Sequence, residues 1–105
     1  MLIVRDKIIN EYQKEIKRRL KDRLKKIILF GSRARGNFNE WSDYDFAIIV
    51  DKRNDEIEDI VDTVGGNILT KYSKLIGPIV WDEKEWEFKK EIPIGINIIK
   101  YGIEL

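Results

Sequence analysis

Two aspartates one residue apart, Asp43 and Asp45, open the segment "DYDFAIIV", which otherwise reads as a buried strand. Successive side chains of a strand turn to opposite faces, so the two carboxylates are expected to point the same way and Tyr44 the other. Two carboxylates on one face at the end of an apolar strand repel each other and are partly desolvated, which a cation relieves. A hard divalent ion such as magnesium, taking oxygen ligands at about 2.1 Å, suits them. Gly31 and Ser32 close the preceding apolar run "KIILF". Glycine lets a ligand approach the backbone, and Ser32 at a helix start would offer its hydroxyl beside unpaired N–H groups, a cradle for phosphate. Arg33 and Arg35 add positive charge where a polyphosphate would be gripped and pyrophosphate stabilised as it leaves. The parts fit phosphoryl chemistry.

The elements that must position these residues follow from periodicity. Within residues 5–26, Ile9, Tyr12, Ile16, Leu20 and Leu24 recur at steps of three and four, predicting one apolar stripe on a helix. "KIILF" predicts a central strand, "GSRARGNFNEWS" a loop with a helical turn from Ser32, and "DYDFAIIV" a second strand. Asn54 or Asp55 caps a second amphipathic helix through Tyr72, which Gly65 and Gly66 should loosen or bend. "LIGPIVW" predicts a third strand, at an edge or strand end because Pro78 lacks an N–H. Asp82 caps a short helix through Trp86 and Phe88, and Pro93 opens a last helix that Gly102 stops. The order predicts an α/β fold, a small sheet packed with helices, forming a single domain over residues 1–105.

Composition narrows the chemistry. The chain has no cysteine and no histidine, which removes thiolate chemistry, Ser-His-Asp catalysis and conventional zinc sites. With 20 basic and 19 acidic residues the net charge is +1, so a globally basic nucleic-acid binder is not expected. The run "KRRLKDRLKK" is seven-tenths basic and raises RNA contact, but a solvated helix face near the negative end of its dipole is the favoured reading. No apolar run reaches the roughly 18 residues of a membrane span, and "MLIVRDK" is too brief a patch for a signal peptide. A cytoplasmic protein without membrane contact is expected. Charge-rich, cysteine-free composition also resembles that of thermophiles.

"GS", ten residues and "DYD" together resemble the Gly-Ser-x10-Asp-x-Asp signature of the DNA polymerase β nucleotidyltransferase superfamily. That arrangement should arise by chance in on the order of one chain in a thousand of this length. "GSRARG" followed by "SDYD" is especially similar to the minimal nucleotidyltransferases of prokaryotes, often encoded beside a HEPN-domain protein, and the similarity runs along effectively the whole chain. The resemblance implies the nucleotidyltransferase fold, with Gly31 and Ser32 on the triphosphate and Asp43 and Asp45 holding Mg2+. It implies transfer of a nucleoside monophosphate from a nucleoside triphosphate, with ATP the expected donor, to an acceptor hydroxyl. The acceptor would lie on a HEPN-type partner, making this chain the antitoxin of a toxin-antitoxin pair.

One departure bears on activity. Complete members of the superfamily carry a third carboxylate on the next core strand, where "IGPIVW" has none. Asp82 and Glu83 follow that strand and are weak candidates, Asp82 being better placed as a helix cap. The alternative to an enzyme is therefore an inactive nucleotidyltransferase-fold module that neutralises its partner by contact. Bland readings weigh on single residues too: Arg33 and Arg35 could serve in surface ion pairs, and Trp81 and Trp86 in packing. Trp41, just before the aspartates, is the tryptophan to test for nucleotide contact.

Overall fold

The computed structural model describes residues 6–105. The apolar start at residues 1–5 lies outside the described residues. Asp6 caps the first helix, α1 (Lys7–Leu20): its Oδ1 accepts the amides of Ile8 at 2.8 Å and Ile9 at 3.3 Å. The stripe Ile8, Ile9, Tyr12, Ile16 and Leu20 is buried along one side of α1.

The helix does not continue to residue 26. Lys21 takes φ 54°, a 3-10 turn spans Lys21–Arg23, and strand β1 (Leu24–Phe30) follows. Leu24 keeps the i, i+4 step from Leu20 but is the first residue of the strand. The basic run is accordingly split over a helix end, a turn and a strand rather than forming one face. Several of its charges are matched: Arg18 and Arg19 bridge Glu15, and Arg23 bridges Glu56.

After the one-turn α2 (Ser32–Arg35) and a loop comes β2 (Tyr44–Val50), antiparallel to β1 with Phe30 opposite Asp45. Helix α3 (Asp55–Tyr72), capped by Asn54, crosses over to β3 (Ile76–Asp82), which runs parallel to β2. A parallel pair needs such a crossover. The helix runs unbroken through Gly65 and Gly66. It buries Ile57, Val61, Val64 and Ile68, each burial worth about 1.5–3 kcal/mol. Helices α4 (Glu83–Lys89) and α5 (Pro93–Tyr101) follow, and β4 (Ile103–Glu104) adds to the free edge of β1. That last strand has no counterpart among the sequence expectations.

The sheet order is β3-β2-β1-β4, a mixed four-stranded sheet with Pro78 on an edge strand, where a missing N–H is tolerated. Alternation along β2 divides the core. Tyr44, Phe46, Ile48 and Val50 pack with α1 and α3, while Ala47 and Ile49 pack with Trp81, Trp86 and Ile98 beneath α4 and α5. Asp45 belongs by alternation to the second face. The rings of Trp81 and Trp86 stack there at 5.8 Å, so both serve packing. The fold is of the α/β class expected from the sequence.

Candidate active site

The end of the sheet where β1 stops and β2 starts gathers the residues singled out by spacing. Gly31 sits at φ +74°, where L side chains are strained, and caps α2. A Cβ built on Gly31 would collide with Oδ2 of Asp45. On the other side of Asp45, in register on β3, stands Gly77, where a Cβ would lie 3.1 Å from Oδ1. The Asp45 carboxylate therefore lies between two glycines, in a space that a side chain at position 31 would invade and one at position 77 would crowd.

Burial and the adjacent negative charge of Asp43 both push the Asp45 carboxyl above the ordinary carboxylate range. Asp43 itself is exposed, one residue before β2. No described residue gives either aspartate a hydrogen bond or an ion pair. Two unmatched carboxylates, one desolvated and acted on by the other, are a donor set that fits a hard cation. Among the described residues no group of three acidic side chains could hold a metal ion. A cation here would take two protein carboxylates and complete its shell from water or a bound phosphate, as magnesium commonly does.

The two arginines have different surroundings. Arg33 has a side chain only 6% exposed, and its Nε and Nη2 donate to the Ser42 carbonyl at 3.3 and 3.0 Å. Its guanidinium lies 4.1 Å from the ring centre of Tyr44 and 4.6 Å from that of Phe38, with Asp6 Oδ2 4.0 Å away. Tyr44 in turn donates its hydroxyl to Asp6 at 2.8 Å, and burial together with that bond pushes its pKa up to about 12. Arg33 thus ties the residues on both sides of Asp43, Ser42 and Tyr44, to the start of α1. Arg35 is exposed, has no ion pair among the described residues, and lines a cavity that also includes Gly31. Ser32 opens α2, where the first amides of a helix have no intrahelical acceptor. Trp41 is 83% exposed in the loop before the aspartates.

The late acids lie elsewhere. Asp82 pairs in register with Val50, five residues along β2 from Asp45, which at about 3.3 Å per residue is roughly 16 Å. Its carboxylate is used in a capping box: Oδ1 accepts the Glu85 amide at 2.8 Å while Glu85 Oε1 accepts the Asp82 amide at 3.1 Å. Glu83 lines a different cavity, with Lys25, Trp86 and Lys90. Neither acid shares the site of Asp43 and Asp45. Sequence reasoning did not single out Gly77, since its part depends on which residue of β2 it faces; a glycine inside a strand can signal the close approach of another group.

Comparison with known proteins places the chain. The family model described as "Nucleotidyltransferase domain" matches residues 9–102. "Putative protein adenylyltransferase MJ0604" of Methanocaldococcus jannaschii is 40% identical over 97 residues, covering 92% of this chain and 93% of that one. "Putative protein adenylyltransferase MJ0141" of the same organism is 36% identical over 102 residues, covering 93% and 95%. Among solved structures, a "putative nucleotidyltransferase from Sulfolobus solfataricus" superposes with a TM-score of 0.60 at 22% identity, over 93% of this chain and 76% of that one. A toxin-antitoxin structure with AMP-PNP superposes with a TM-score of 0.57 at 17% identity, over 89% and 68%. These two show the shared fold. With the family model covering nearly its whole length and relatives at 36–40% identity along nearly all of theirs, the chain belongs to the nucleotidyltransferase domain family.

Proposed function

We propose that residues 1–105 act as a minimal nucleotidyltransferase domain that transfers AMP from ATP to a hydroxyl of a partner protein. The observation that carries this reading is the Asp45 carboxylate lodged against the Gly31 turn, so that a cation held by Asp43 and Asp45 would lie beside that backbone. Asp43 and Asp45 would hold Mg2+, which when bound neutralises phosphate charge and orients the α-phosphate. Gly31 and Ser32 would take the triphosphate along the open backbone of the turn, with Arg35 supplying the free cation beside it. Arg33 stands beside the same site, but its buried guanidinium is committed to Ser42, so its contribution is to hold the aspartate loop.

In the reaction the acceptor oxygen forms a bond to the α-phosphorus while the bond to the β-phosphate bridging oxygen breaks, and pyrophosphate leaves with that electron pair. Among the described residues no third carboxylate stands ready for the hydroxyl proton, because Gly77 lies beside Asp45 on β3 and Asp82 lies at the other end of the strand. The proton would pass to solvent or to a group on the partner. The adenylyltransferase names of the relatives support the transfer class; a structural neighbour solved as a toxin-antitoxin accords with a toxin as partner, and the HEPN type of that partner follows from the resemblance of "GSRARG" and "SDYD". The setting is the cytoplasm, where ATP and magnesium are plentiful.

The missing third acid also favours a second reading, an inactive module that neutralises the same partner by contact. Incubation with ATP labelled at the α-phosphate, Mg2+ and a HEPN-type partner separates the two. The enzyme predicts label on the partner that Asp43→Asn and Asp45→Asn each reduce at least about 100-fold, and that Asp82→Asn and Glu83→Gln leave in place. Partner inhibition without any label, surviving in both Asp43→Asn and Asp45→Asn, supports the module instead.

A further inference from the structure

Beside the Gly31 turn the fold leaves a cavity of about 220 Å³, walled on one side by Gly31 and Arg35 and on the other by α5. We infer that this cavity receives the purine base of the bound nucleotide; the inference rests on the nucleotidyltransferase reading above. Its position is the first argument. The glycine that abuts Asp45 also lines the cavity, so a ligand whose phosphates lie on the turn has this space within one residue of them. Two other cavities among the described residues stand apart from that turn. One of about 300 Å³ lies against Lys25, Ile49 and Trp86, and one of about 190 Å³ lies between α3 and β3 at Gly65 and Pro78.

The lining is the second argument. Phe30, Ile94 and Ile98 give the space an apolar interior, suited to the faces of a heterocycle. Ile94 remains 38% exposed and Tyr101 45% exposed, apolar area on α5 that no described residue covers and that a flat ring would cover. Asn97 is exposed on the same helix with its amide unpartnered among the described residues, and it lines the cavity. An asparagine amide carries a donor and an acceptor side by side, the pattern that matches N7 and the exocyclic amine of adenine. Tyr101 also lines the cavity, and its ring, over which the Lys100 ammonium lies at 5.2 Å, has a second face on which a base could stack. The cavity therefore combines apolar walls for a ring with a reading group, and the glycine of the turn forms part of its wall.

Equilibrium binding tests this with two probes in magnesium buffer: ATP, and inorganic tripolyphosphate, which has phosphates and no base. The variants are Asn97→Ala, which keeps a helix-favouring residue at an exposed position, and Ile94→Trp, which fills the cavity from its partly exposed wall. Circular dichroism establishes that each variant folds. The expected result is that both variants weaken ATP binding by about tenfold while tripolyphosphate affinity stays that of the wild type. Unchanged ATP affinity in both folded variants, with wild-type ATP binding intact, overturns the base pocket and leaves the nucleotidyltransferase reading standing. Failure of the wild-type chain to bind either probe overturns both together, a pattern distinct from the first.

Discussion

Asp45 and Gly31 lie so close together at the end of the β1–β2 ladder that glycine is the one residue position 31 accepts without moving the carboxylate. The positive φ of Gly31 and the place of Oδ2 are separate constraints on the same atom, one from the backbone and one from the site. They can be pulled apart, because Gly36 shares the first without the second: it sits at φ +84° with nothing within 4 Å of a built Cβ.

Gly36→Ala should therefore show the backbone cost alone, about 1–2 kcal/mol of stability, with transfer activity near wild type. Gly31→Ala should bear that cost and also displace the Asp45 carboxylate, lowering transfer by about 100-fold or more. Gly77→Ala, whose Cβ would stand 3.1 Å from Oδ1, asks the carboxylate to give by only a few tenths of an ångström and should fall between the two in activity. Urea denaturation alongside transfer rates measures both quantities. Equal activity loss in Gly31→Ala and Gly36→Ala would show that the contact with Asp45 contributes nothing.

The two arginines of "RAR" are two positions apart in sequence and opposite in surroundings, and their substitutions should separate accordingly. Arg33→Ala removes a buried guanidinium from the Ser42 carbonyl and from two ring faces, and should cost about 2–3 kcal/mol of stability. Arg33→Lys keeps the charge but not the paired donors, and should recover only part of that loss. Arg35→Ala, at an exposed position, should leave stability within about 0.5 kcal/mol of wild type while raising KM for ATP. Thermal or urea unfolding with initial-rate kinetics makes the comparison, and a stability loss in Arg35→Ala matching that of Arg33→Ala would contradict it.

Much of this arrangement is legible in the chain because local rules and tertiary structure agree. Asn54 as a cap and the Ile57 to Ile68 stripe mark α3, and Asp82 with Glu85 three residues on marks α4. The juxtaposition of the Gly31 turn with Asp45 follows once the two apolar runs pair as a hairpin. Where the reading stops is equally physical. Leu20 and Leu24 keep a helical step across a break that Lys21 makes by taking a positive φ, a conformation that lysine does not advertise. The strand β4 is two residues long and exists through its pairing with Ile28 and Leu29, a contact more than seventy residues away in sequence. Arg33 and Arg35 look alike in a one-dimensional motif. Only the fold shows one guanidinium buried between Tyr44 and Phe38 and the other facing out.

The desolvated carboxylate of Asp45 sets a dependence of stability on pH with a definite sign. Its carboxyl holds a proton to higher pH in the folded chain than in the unfolded one, because burial and Asp43 both disfavour the charge. Below the ordinary carboxylate range the group is neutral in both states and opposes nothing. As pH rises from that range through the raised value, the unfolded state loses the proton first, and the charge then works against folding at all higher pH. Without divalent metal, Asp45→Asn should accordingly unfold at a higher temperature than wild type at pH 7, and the gap should shrink toward zero as pH is lowered below the carboxylate range. Adding Mg2+ should raise the wild-type midpoint and leave Asp45→Asn nearly unmoved, since a cation that binds only the folded state stabilises it in proportion to its affinity. Thermal unfolding across pH 3 to 8, with and without EDTA, reads all three comparisons. A wild-type chain that outlasts Asp45→Asn at pH 7 in EDTA would mean that some neighbouring group already stabilises the charge, and the case for a cation between the two aspartates would lose its physical basis.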